Sequence, residues 1–149
     1  MIVGEVCSRE VVYVERDATI LEAARVMRSN HVGDVVVADK KNGGCMPVGI
    51  LTDRDIVIEL LAAEVDLDSV SVGDAMSYEL LMAREGDDLL ETVKLMRNRG
   101  VRRVPVIDRG GLLVGIVSVD DVVELLSEQL TDLVKLVAVE ERREREHRA

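Results

Sequence analysis

Residues 49–57 read Gly49-Ile50-Leu51-Thr52-Asp53-Arg54-Asp55-Ile56-Val57, and residues 115–123 read Gly115-Ile116-Val117-Ser118-Val119-Asp120-Asp121-Val122-Val123. Each phrase is a glycine, an apolar strand end, a hydroxyl residue and, three positions on, an aspartate that opens an apolar-periodic stretch. A strand running straight into a helix, written twice, predicts a duplicated unit with two candidate sites.

The duplication extends outward from these phrases. A shift of 69 positions sets Val3-Gly4 on Val72-Gly73, Ser8 on Ser77, Glu22 on Glu91, Met27-Arg28 on Met96-Arg97 and Asp39 on Asp108. Beyond Asp39 the shift falls to 66, which places three extra residues in the loop from Lys40 to Gly44, where length changes are tolerated. Within each copy, Val11–Val14 and Leu80–Ala83 predict a first strand, entered from a small turn that holds the Val-Gly pair. Thr19-x-x-Glu22 and Asp88-x-x-Glu91 are capping-box signals ahead of apolar residues at helical spacing. Val35–Val37 and Val104–Ile107 predict second strands, Val48–Leu51 and Leu113–Val117 the returning ones.

Each copy therefore reads strand, helix, strand, strand, helix: an α+β unit whose small sheet cannot be covered by its own helices. Two copies sharing a core are the economical solution. The expected divisions are 1–66, 67–127 and a C-terminal extension over 128–149, with Asp66–Ser71 as the joint. In the extension, Leu126, Leu130, Leu133, Val134 and Val137 form an amphipathic stripe that needs a partner surface. The charged run from Glu140 to Ala149 is expected to be a frayed, solvated helix end.

Composition narrows the function. A net charge of −10 opposes binding to a phosphate backbone, and with Tyr13 and Tyr78 as the only aromatics there is no platform for base stacking, so nucleic acid is not expected as a partner. Cys7 and Cys45 lack metal-ligand spacing, and no leader precedes the fold, so a cytoplasmic protein is expected. No apolar run spans a bilayer, and no membrane association is expected. His31 reads as a helix C-terminal residue and Cys7, aligned with Met76, as packing. No nucleophile with its base, phosphate-gripping loop or metal cluster is present, so no metal and no catalytic residues are assigned, and the chain reads as a binding module rather than an enzyme.

The repeated phrase supports two readings. Thr52 with Asp55, and Ser118 with Asp121, form capping boxes by their spacing alone. The same helix N-termini offer free N–H groups to a phosphate, while each aspartate could accept two ribose hydroxyls, and Gly49 and Gly115 would let a ligand approach the strand closely. The duplicated unit resembles the CBS (cystathionine beta-synthase) domain through GILTDRD, GIVSVDD, VRRVPVID and MRNRGVRRVPV, and residues 1 to about 127 resemble a tandem pair.

The resemblance implies a pseudo-twofold module with two clefts for adenosine compounds: AMP, ADP, ATP, S-adenosylmethionine or NAD. It implies Asp55 and Asp121 as ribose-binding acids, Thr52 and Ser118 as phosphate or polar contacts, and Arg102 and Arg103, ahead of Pro105, as further ligand contacts. Arg102 and Arg103 read equally as a solvated strand edge, and Arg54 as a phosphate contact or a surface residue. Gly33-Asp34 stands where the second copy has Arg102-Arg103, and Val36 where it has Pro105, which predicts unequal clefts. No cofactor is required beyond the regulatory ligand. The implied role is to sense energy or metabolite state, as a homodimer, and to signal to a separate partner protein. The alternative is an adaptor whose clefts are empty.

Overall fold

The computed structural model describes residues 1–148, so Ala149, the last residue of the expected tail, lies outside the described residues. A one-turn helix α1 (Val3–Val6) precedes β1 (Tyr13–Val14), α2 (Ile20–Asn30), β2 (Asp34–Lys41) and β3 (Gly44–Thr52). A π-helical segment, Asp55–Leu61, and a 3-10 turn, Leu67–Ser69, complete the first half. The second half repeats the order as α3 (Val72–Ala75), β4 (Ala83–Arg84), α4 (Leu89–Arg99), β5 (Arg103–Ile107), β6 (Leu113–Ser118) and α5 (Val119–Arg148). Each half holds one three-stranded sheet, β1-β2-β3 and β4-β5-β6, its first pair parallel and its second antiparallel. The α+β architecture expected from the repeat is the one observed.

Several local expectations are corrected. The turns holding Val3-Gly4 and Val72-Gly73 are single helical turns, and the first strands shrink to two residues each because only those pair with β2 or β5. The three extra residues of the first copy do not lengthen a loop. Lys40 pairs with Cys45 and Lys41 with Gly44, leaving Asn42 (φ 44) and Gly43 (φ 82) as a two-residue turn whose positive φ values suit the strand twist. At α2 the capping box is complete, Glu22 N–H donating to Thr19 Oγ1 and Thr19 N–H to the Glu22 carboxylate. At α4 only half of it forms, because the Glu91 carboxylate turns to Lys94 at 2.9 Å. The first copy's last helix is wound wider than the second's, with Ala62 N–H bonded to Val57 O and Val65 N–H to Leu60 O, five residues back. The charged run is helical throughout the described residues, continuing α5 to Arg148.

The two halves are interlocked by exchange of their leading segments. Val3 N–H donates to Asp87 O and Gly4 N–H to Glu85 O, so α1 is seated on the second half. Val72 N–H donates to Ala18 O and Gly73 N–H to Arg16 O, so α3 is seated on the first. The cores follow the same exchange. Val72 and Met76 complete the cluster of Ile20, Ala23, Met27, Val35, Val37 and Leu51, and Val3 completes that of Leu89, Met96, Val104, Val106, Val117 and Val122. Neither core closes with residues of its own repeat, which is why the copies fold as one unit.

Candidate functional site

The exchange explains the glycines of the repeated phrase, and not as expected. Ser77 and Ile50 exchange backbone hydrogen bonds of 2.9 and 3.1 Å, and Ser8 and Ile116 exchange two of 2.9 Å. A Cβ at Gly49 would lie 2.7 Å from Ser77 O and 2.7 Å from Met76 Sδ; at Gly115 it would meet Cys7 Sγ at 2.7 Å and Ser8 O at 2.9 Å. The space beside each glycine is filled by the crossing chain, so close approach of a ligand there is corrected to close approach of the protein's own backbone. Cys7 serves this crossing, and burial pushes its thiol pKa up, the opposite of an activated nucleophile.

Both hydroxyl-x-x-Asp phrases form reciprocal caps. Asp55 N–H donates to Thr52 Oγ1 and Thr52 N–H to Asp55 Oδ2, each at 3.0 Å; the Ser118 and Asp121 equivalents are 3.2 and 3.3 Å. Each cap commits one carboxylate oxygen. An ionised carboxylate has about four lone-pair sites, so Asp55 and Asp121 retain acceptor capacity for a ligand. The structural and the ligand-contact roles are therefore compatible at the same residues.

Two clefts lie at these caps, and each is walled by both repeats. One, of about 250 Å³, brings Ser118 and Asp121 of the second repeat against Ser8, Glu10, Asn30, Asp34 and Val36 of the first, with Arg103 at its edge. The other, of about 440 Å³, brings Thr52, Asp53 and Arg54 of the first repeat against Arg102 and Arg103 of the second, again with Asp34. Small-molecule sites typically run from about 300 to 1,000 Å³. The basic pair Arg102-Arg103 thus serves the Thr52 cleft of the opposite repeat. Asp55 stands beside that cleft through its cap on Thr52, and Arg54 is exposed at its rim. Pro105 is fully buried inside β5 and lines neither cleft, whereas its counterpart Val36 lines the Ser118 cleft.

Arg103 and Asp34, equivalent positions of the two repeats, meet between the clefts. Arg103 Nε lies 2.6 Å from Asp34 Oδ1, yet its N–H is not aligned on that oxygen, which is buried without a hydrogen bond. Burial raises the Asp34 pKa above the ordinary carboxylate value, opposed by the attraction of Arg103 and reinforced by Asp53. Sequence reasoning identified Asp34 as a departure from the repeat but not as a wall of both clefts, and it missed Glu10 and Asn30. Their signal was available only as register, since Glu10 sits two residues after Ser8, which the offset pairs with Ser77.

Among the described residues no group of three or more His, Cys, Asp or Glu side chains could hold a metal ion. No described helix is long and apolar enough to cross a membrane.

Comparison with known proteins agrees with this fold. The family model described as CBS domain matches twice, over residues 3–62 and 72–128. Uncharacterized protein MK0525 of Methanopyrus kandleri is 37% identical over 123 residues, covering 83% of this chain and 61% of its own length. CBS domain-containing protein YhcV of Bacillus subtilis is 34% identical over 119 residues, covering 80% of this chain and 81% of its own. Among solved structures, CBS domain protein PAE2072 from Pyrobaculum aerophilum, complexed with AMP, superposes with a TM-score of 0.72 at 28% identity, covering 81% of this chain and 89% of that one.

Proposed function

The chain belongs to the CBS domain family, and from that premise we propose that it is a regulatory module that binds adenosine ligands in its two clefts and reports their presence to a partner. The observation that carries this reading is the composition of the cleft walls: one repeat contributes the capped hydroxyl and aspartate, the other the residues leading into its second strand. A ligand seated there touches both repeats at once, so its affinity depends on their relative orientation. It shifts that orientation by as much as it prefers one arrangement over another. The AMP complex of PAE2072 supports an adenosine ligand.

In this reading Asp55 and Asp121 accept ribose hydroxyls, Thr52 and Ser118 hold polar groups at the helix N-termini, and Arg54, Arg102 and Arg103 attract phosphate. Pro105 contributes by fixing the backbone between Arg103 and the sheet core. The role is regulatory and not catalytic. The signal passes to a second copy of the chain or to a separate protein, and the exposed residues Leu126, Leu130, Leu133 and Val137 of α5 offer the contact surface.

Thermal unfolding with AMP, ATP, S-adenosylmethionine and NAD tests the proposal. A ligand at one hundred times its Kd adds about 2.7 kcal/mol to stability. Shifts with one or more of these compounds are expected. No shift at millimolar concentrations would leave the adaptor reading, which the exposed α5 stripe favours.

A further inference from the structure

The two clefts differ in charge, and they share one ion pair. Asp34 and Arg103 line both. Of the charged residues private to each, the Ser118 cleft has Glu10 and Asp121 and no cation. The Thr52 cleft has Arg54 and Arg102 against Asp53, and adding the capping residue Asp55 brings its private charge only to zero. Asp120, 3.5 Å from Arg102, offsets that residue's charge, so the Ser118 cleft is the more acidic by one charge. Asn30 and Asp34 there stand where the second repeat carries Arg99 and Arg103, whereas Asp53 of the Thr52 cleft stands where the second repeat carries Val119.

The shared pair is a close contact, with Arg103 Nε 2.6 Å from Asp34 Oδ1. The Asp34 oxygen in that contact is buried, and Arg103 is its charge partner. A phosphate in the Thr52 cleft offers Arg103 a bidentate partner, which is the stronger interaction for a guanidinium. When Arg103 turns to it, Asp34 on the wall of the Ser118 cleft loses its charge partner, and a cationic ligand there would replace it. That change raises the affinity of the second cleft for a cation and lowers it for an anion.

Resting on the adenosine reading above, we propose that the clefts take ligands of opposite charge and that the Asp34–Arg103 pair couples them. The Thr52 cleft takes a phosphate-bearing adenosine ligand, and the Ser118 cleft takes a cationic one, such as an adenosine sulfonium. The two bind with positive cooperativity, whereas a second anion is disfavoured.

Titration calorimetry on the full chain tests this, with AMP as the anion and S-adenosylmethionine as the cation, each alone and each against the protein saturated with the other. The expected result is one site per chain for each compound, with each tightening the other's Kd by about tenfold, within the usual range of allosteric coupling, and by the same factor in both directions. Asp34→Asn is expected to reduce that factor to less than twofold. Glu10→Gln, at an exposed position that does not threaten folding, is expected to weaken S-adenosylmethionine several-fold while the coupling factor persists. Two equivalent AMP sites per chain, independent binding, or full coupling in Asp34→Asn would each overturn the inference while leaving the adenosine reading intact. Binding of neither compound would overturn both.

Discussion

Gly49→Ala separates the two explanations of the repeated phrase at its root. In the structure the added methyl sits 2.7 Å from Ser77 O, a backbone atom, and 2.7 Å from Met76 Sδ. Ordinary contact begins near 3.4 Å, so the carbonyl must retreat by about 0.7 Å. Met76 can swing its thioether aside, although it is buried in the first core. Ser77 cannot move alone, because its carbonyl accepts from Ile50 N–H at 3.1 Å and its own N–H donates to Ile50 O at 2.9 Å. Overpacking of this kind costs about 1–3 kcal/mol, and weakening one of the paired hydrogen bonds about 1 more. The expected loss is about 2–4 kcal/mol, a large share of a total stability of about 5–15. Urea denaturation followed by circular dichroism measures it, with Gly86→Ala as a control because nothing lies within 4 Å of that Cβ. A Gly49→Ala variant within about 0.5 kcal/mol of the parent, the scatter of ordinary surface changes, would refute the argument. Weakened ligand binding at unchanged stability would restore the ligand-approach reading.

Val3→Ala removes two buried methyl groups from the second core, for a loss of about 1.5–2.5 kcal/mol, and native-state hydrogen exchange should show faster opening of residues 83–107 than of 35–51. His31 closes α2 at φ 54 where the second copy has Gly100 at φ 67, so His31→Gly should raise stability by about 0.5–1 kcal/mol in urea melts. Asp34→Asn is expected to be more stable than the parent at pH 7. Because burial raises the Asp34 pKa, folding takes up a proton between the ordinary value of about 3.9 and the raised one, and that stability is lost as pH rises through this window. The gap between parent and variant should therefore close below about pH 3.9; a variant less stable than the parent at pH 7 would mean that the ion pair outweighs burial. Leu130→Glu with Leu133→Glu, both exposed on α5, should lower the mass seen by light scattering to that of one chain while leaving the melting transition in place.

The repeat, its elements and its caps were legible because each rests on local chemistry: Thr19 with Glu22, Thr52 with Asp55 and Ser118 with Asp121 cap through spacing that any reader of the chain can see. The exchange of leading segments was not. Val3-Gly4 and Val72-Gly73 are the same words, and self-similarity shows which residues are equivalent without showing which sheet each segment sits on. That gap displaced the site. Arg102-Arg103 and Gly33-Asp34 read as belonging to separate clefts, when Arg103 and Asp34 face each other at 2.6 Å. Equivalent residues in contact must lie on the pseudo-twofold axis, and there a faithful repeat is the worst choice. Two arginines or two aspartates whose charges came within about 4 Å would repel by about 4 kcal/mol at an effective dielectric of about 20. A charged pair on the axis can be compensated only if the copies differ there, so the break in the repeat at positions 34 and 103 is required by the symmetry that the rest of the repeat creates. Because that pair lines both clefts, its charge is common to the two sites, and a ligand that engaged either partner from one cleft would change the charge facing the other.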